Sequence, residues 1–151
     1  MLFLVFHLDN DRYALEASQV VEVLPLVGIK KRLGSPRGVV GTIDYHRTFV
    51  PVIDLSELAL GHRAPPRLST RIILVRCSEE KGQSPLLGLV AEKATETMRC
   101  EAADFMASGI ANDDAPYLGA IAMGAHGAIQ RIELKKLLPA TVSNLVLEQS
   151  V

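Results

Sequence analysis

The 151-residue sequence has no tryptophan, and aromatic residues make up only 5% of it. It therefore lacks the stacking platform on which single-stranded nucleic acids are held. It also lacks a dominant charge, since 16 basic residues face 17 acidic ones for a net charge of −1. That balance offers no general attraction to nucleic acid or to an anionic membrane. The two cysteines, Cys77 and Cys100, form no Cys-x-x-Cys pair. This usage suits a reducing cytosol, with one disulfide left open as the alternative. The apolar start "MLFLVFHL" meets Asp9 without a leading Lys or Arg. It is too short for a flanked secretory segment and far too short to span a bilayer. These absences point to a cytoplasmic protein with no direct membrane insertion.

Catalytic patterns are missing as well. His7, His46, His62 and His126 have no zinc-ligand spacing, and no Gly-x-Ser-x-Gly, Walker loop or Gly-x-Gly-x-x-Gly occurs. Cys77 with His126 is a weak nucleophile pair, because a lone cysteine at a strand end is usually packing. Asp113 and Asp114 are half of a metal site at most, within the polar loop "GIANDDAPY". The expectation is a protein that is not an enzyme, with no cofactor and no metal.

What the sequence does contain is short β-rich runs punctuated by glycine, proline and polar turns. "LFLVFHL", "YALEASQVVEVL", "VVGTI", "TFVPVIDL", "RIILVRC", "PLLGLVAEKATETM", "LGAIAM" and "AIQRIELKKLL" follow one another in this way. The pattern predicts a mainly β protein, barrel or sandwich, with a short helical turn near Ala17 as an option. A chain of this length buries roughly 70% of its unfolded surface, so no metal or disulfide staple is required. "GTIDYHRTFVPVIDLSEL" and "GAIAMGAHGAIQRIELKKLL" share the order Gly-x-Ile, polar turn, strand, Ile-acid-Leu, short helix. Asp54 then answers to Glu133, which suggests two related β subdomains, with their junction in the linker 59–70. The domain runs over 1–139, and 140–151 is a C-terminal tail.

Pro51 cannot donate to a strand ladder, so it marks an edge, a bulge or a corner. Asp54, with Glu57 three residues on, reads as the N-cap of the helix "LSELAL", with Glu57 able to reach back to the cap amide. Lys30, Lys31, Arg32 and Arg37 form a basic cluster in a Gly/Pro loop. Such clusters are usually just solvated.

Taken in order, "FLVFHLDNDRYALEASQVVEVL", "GVVGTIDYHRTFVPVIDL", "TRIILVR", "LLGLVAEKATET" and "YLGAIAMGAHGAIQRIELKKLL" resemble the CheW-like family of chemosensory coupling proteins. The resemblance covers residues 2 to 139, and the V-P-V-I-D-L ending is its most specific piece. It implies two related five-stranded SH3-like β-barrel subdomains with short capping helices and a shared apolar seam. It implies a non-catalytic adaptor that binds the cytoplasmic helical tip of a chemoreceptor and the regulatory domain of a CheA-type histidine kinase. It associates with membrane receptor arrays through those partners. On this chain the receptor-binding positions fall on Val20, Glu22, Val23, Gly88, Ala94 and Thr97, as a groove for the apolar face of a helix. Glu22 stands out, because a charge within that apolar run must face solvent or a partner.

The kinase-binding positions fall on Tyr45, His46 and Arg47, where the family typically has Asn-Leu-Arg-Gly and this chain has Asp44, Tyr45, His46 and Arg47. Histidine lacks the arginine fork and its permanent charge, so the standard kinase contact is in question. The alternatives are a divergent CheW-fold module that binds one partner only, or a small β-barrel ligand-binding protein. Because the sequence begins almost at the first predicted strand, the expectation is no N-terminal extension and no attached receiver domain.

Overall fold

The computed structural model describes residues 1–77, 85–110, 115–124 and 127–137. The expected loop 78–84, the Asp113–Asp114 pair, His126 and the tail 140–151 lie outside the described residues. Ten strands occur among the described residues: β1 Leu2–Leu8, β2 Asp11–Glu16, β3 Val20–Pro25, β4 Val39–Tyr45, β5 Thr48–Asp54, β6 Thr70–Arg76, β7 Leu86–Arg99, β8 Phe105–Met106, β9 Leu118–Gly124 and β10 Gly127–Ile132. One α-helix, α1 Leu55–Leu60, follows β5, and single 3₁₀ turns cover Ala17–Gln19, Ala102–Asp104 and Leu134–Lys136. The fold is mainly β, as the β-branched runs predict.

Strand pairing gathers the ten strands into two units of five. In the first, β4 pairs with β5, β5 runs parallel to β7, β7 pairs with β6, and β6 with β3. In the second, β1 pairs with β2, β2 runs parallel to β10, β10 pairs with β9, and β9 with β8. Strand β7 joins them. Its first half lies against β6, and from Glu92 to Arg99 it lies against β1. Lys93 sits at the changeover with φ of 52°. The result is one continuous ten-stranded sheet, and pairing among the described residues does not close either unit into a barrel.

The two repeats seen in the sequence are each a hairpin followed by a helical turn, β4–β5–α1 and β9–β10 with Leu134–Lys136. They are exchanged between units. Hairpin β4–β5 docks on β7, from after the linker, and hairpin β9–β10 docks on β2, from near the start. The expected junction at 59–70 therefore separates repeats along the chain, whereas strand pairing crosses it: β6 after it pairs with β3 before it.

Three apolar clusters follow from this arrangement. A seam common to both units includes Leu4, Phe6, Leu8 and Leu15 from the second, with Ile53, Ile73, Val75, Leu87 and Leu89 from the first. Ile43, Val50, Val52, Ile72 and Leu74 fill the first unit, and Phe3, Ala14, Ala122 and Ile129 the second. Alternate residues of β6 thus serve different clusters, and Ile72, Ile73, Leu74 and Val75 are all fully buried. A strand covered on both faces reads as an unbroken apolar run, which is why "RIILVRC" shows no alternation.

Pro51 lies opposite Thr42 in the β4–β5 hairpin. Thr42 spends its own N–H and C=O on Lys30, at 2.9 and 2.8 Å, so it makes no ladder bond toward Pro51. The missing N–H of Pro51 thus faces the side where β7 begins to pair only at Val52. Proline costs the ladder nothing there.

Asp54 caps α1 as expected, its Oδ1 accepting from Glu57 N at 3.2 Å. Its other oxygen accepts from Ala64 N at 3.0 Å, so one carboxylate fastens both the helix start and the chain beyond the helix. The reciprocal half of the capping box is absent. The Asp54 amide donates to Gly38 O, and the Glu57 carboxylate turns instead to Arg63 Nε at 3.2 Å.

Candidate interaction surface

Among the described residues strand β3 is an edge of the sheet, paired on one side only. Its pairing with β6 slips between Val20 and Glu22. A bulge of this kind breaks the two-residue alternation and re-aims side chains. Val20 and Val23 consequently both pack half-buried against the seam, whereas Glu22 turns outward and is exposed.

The β4–β5 connection brings a second element to the same place. Its two turn residues, His46 and Arg47, have φ of 49° and 68°. Two successive positive φ values define the type I′ hairpin turn, the geometry that prefers Asn-Gly. Asp44 supports it, its Oδ1 accepting from Arg47 N at 3.0 Å. Tyr45, the last residue of β4, packs partly against the first-unit core and has the His46 ring edge-on at 4.3 Å. Its hydroxyl donates to Glu22 Oε2 at 2.7 Å. That hydrogen bond to a carboxylate holds the Tyr45 proton and raises its pKa above the ordinary tyrosine range.

The structure therefore brings Glu22 and Tyr45, expected on two different partner faces, into direct contact. His46 lies against Tyr45, while Val20 and Val23 turn to the seam. The remaining expected positions fall elsewhere. Gly88 is buried in the first unit, where an added Cβ would lie 3.1 Å from both Ile72 Cγ2 and Val52 Cγ2. Ala94 is buried in the seam at 3% exposure. Neither offers a side-chain surface to a partner, because β7 is buried on both faces around Gly88 and Ala94 points inward between exposed Lys93 and Thr95. Thr97 is exposed, but on the stretch of β7 paired with Leu4 in the second unit.

Sequence reasoning missed Phe49, which is 63% exposed beside this turn, with the Arg32 guanidinium 5.5 Å from its ring centroid. Its only signal was an aromatic placed opposite a charged residue, Asp44, in the hairpin.

Two of the groups considered for catalysis, Cys77 and His62, lie among the described residues with identifiable surroundings. Cys77 is buried, and burial pushes its thiol up to about 11, the opposite of what activates a nucleophile. His62 faces Asp9 at 3.2 Å, with both side chains about half exposed. Among the described residues, no three His, Cys, Asp or Glu side chains are grouped to hold a metal ion, and no helix is long and apolar enough to cross a membrane.

Two interlocked five-stranded units with an exposed edge strand and a hairpin turn at its side define a mainly β domain. Residues 2–142 match the model of the CheW-like domain, and the chain belongs to the CheW-like family. Among solved structures it is similar to the scaffolding protein TtCheW from Thermoanaerobacter tengcongensis, with a TM-score of 0.80 at 24% identity over 93% of this chain and 89% of that one. No curated protein sequence matches.

Proposed function

We propose that this protein is a non-catalytic adaptor that couples chemoreceptors to a CheA-type histidine kinase. It does so in the cytoplasm, at receptor arrays. One observation carries the reading. The Tyr45–Glu22 hydrogen bond joins the β3 edge, where the receptor is expected, to the β4–β5 turn, where the kinase is expected. An adaptor needs two partner surfaces held in fixed relation, and this bond fixes them. Thr97 extends the receptor surface on the second unit, while Gly88 and Ala94 support it from within. The test is titration of the protein with a chemoreceptor cytoplasmic fragment, with the kinase regulatory domain, and with both together. Formation of a ternary complex is the expected result. Binding of one partner only would reduce it to a single-partner module, and binding of neither would end the adaptor reading.

A further inference from the structure

Helix α1 ends at Gly61, whose φ of 82° and N–H to Glu57 O at 3.0 Å close its last turn in the left-handed conformation. The next residue, His62, reaches the tip of the β1–β2 hairpin. Its Nε2 lies 3.2 Å from Asp9 Oδ2, and its Nδ1 lies 3.3 Å from Arg63 O. Both of these partners are acceptors. A neutral imidazole carries one N–H and can serve one of them, whereas the imidazolium donates to both. The surroundings of the ring thus match its protonated form.

The contact also joins the two units. The segment that carries His62 is fastened to the first, because Ala64 N donates to Asp54 Oδ2 at 3.0 Å and Ala64 is buried in the first-unit core. Asp9 belongs to the second, in the turn between β1 and β2, with φ of 54°. Among the ion pairs of the described residues, this one links the units away from strand β7. Asp54, at the end of β5, adds a second carboxylate that favours the cation. Against it stand Arg63, whose Nε is engaged by Glu57 Oε2 at 3.2 Å, and Arg37, whose Nη2 lies 3.8 Å from where a Cβ on Gly61 would stand.

We propose that His62 is a proton-operated clasp between the two units. Protonated, it ties the segment after α1 to the β1–β2 turn. Neutral, it loses one of its two hydrogen bonds and the charge that draws Asp9, so the hold weakens. The Arg63 carbonyl and then the Asp9 carboxylate hold the ring proton and raise the His62 pKa above the ordinary histidine value. A raised pKa keeps the contribution intact below the ordinary value and removes it as pH climbs through the folded one. The loss therefore falls above pH 6.5, where an ordinary histidine is already mostly neutral. The two side chains are 54% and 50% exposed, so solvent screens the pair, and protonation tunes how tightly the segment is held without deciding folding. This device is separate from the adaptor reading, and its test uses the protein without partners.

That test is a histidine-resolved NMR titration of wild type, D9N and H62Q from about pH 5.5 to 8.5, a range in which ordinary carboxylates stay ionised. Asparagine accepts a positive φ as aspartate does, so D9N keeps the turn. In the wild type His62 is expected to titrate above 6.5, and the amides of Asp9, Asn10 and residues 61–64 should move at the same midpoint. D9N should bring that midpoint down. Hydrogen exchange reads the hold directly at the Gly61 and Ala64 amides. Their protection, corrected for the intrinsic rise of exchange with pH, should fall at least about 1.5-fold across the His62 midpoint and stay level in H62Q. A His62 midpoint at or below the ordinary value, or one that D9N leaves unmoved, overturns the clasp. So does wild-type protection that stays level, and so does a step that survives in H62Q, which would belong to Asp54 instead.

Discussion

The Tyr45 hydroxyl donates to the Glu22 carboxylate at 2.7 Å across the gap between an edge strand and a hairpin turn. A perturbation at either residue should reach both partner surfaces. Glu22→Lys is expected to weaken receptor-fragment binding more than Glu22→Ala, with normal thermal melting, because it reverses a charge at a rim and loses the acceptor. Tyr45→Phe should weaken the same binding, and its effect should shrink in a Glu22→Gln background, as coupled residues require. Normal receptor binding by a well-folded Glu22→Lys protein would remove β3 from the receptor surface.

The same pair gives a pH prediction. The bond to Glu22 raises the Tyr45 pKa in the folded protein. A raised pKa means the contribution is intact below the ordinary tyrosine value and is lost as pH climbs through the folded one. Spectrophotometric titration at alkaline pH should show Tyr45 ionising late, and Glu22→Gln should bring that ionisation earlier. An unchanged titration would mean the bond is not formed in solution.

Asp54→Ala should cost more than an ordinary helix cap. A lost cap costs about 0.5–2 kcal/mol. Here the Ala64 amide is orphaned as well as the Glu57 amide, so about 2–4 kcal/mol is expected in denaturant unfolding. A loss below about 1 kcal/mol would show that water replaces the carboxylate at both amides.

The hairpin turn should be improvable. His46 and Arg47 hold positive φ angles without the freedom of Asn and Gly. H46N/R47G is expected to stabilise the fold by about 1 kcal/mol by relieving the left-handed strain. If that variant keeps its stability gain and loses kinase binding alone, the side chains at 46 and 47 belong to the kinase contact.

Gly88→Val should act through packing. The added atoms collide with Ile72 and Val52, and overpacking of this kind costs about 1–3 kcal/mol. Any loss of partner binding should therefore track loss of folded protein in matched melts. Full stability with lost binding would return Gly88 to the interface.

Much of the fold was legible in the residues. The alternation and turn chemistry gave the strands, Asp54 announced its helix, and the matched hairpin–helix segments gave two related units. The exchange of hairpins between units was not legible, since strand periodicity fixes which face is buried and says nothing of which neighbour covers it. The site was legible in part. Glu22 was conspicuous as a charge among valines, but its contact with Tyr45 depends on a bulge at Val21 that no residue type signals. Gly88 and Ala94 look alike in sequence whether they line a groove or fill a core, and only the parallel pairing of β5 with β7 places Gly88 in the core.

The exchanged hairpins also order events during synthesis. Strand β2 is made within the first sixteen residues, yet its partner β10 begins at Gly127. Until then one side of β2 has only open backbone donors and acceptors, an invitation to foreign strands. The first unit, β3 to β7, is complete in the chain by Arg99, whereas the ribosome must deliver nearly all of it before the second unit can form. A gene cut at the linker between the repeats would yield two fragments, each holding the hairpin that the other one's sheet requires.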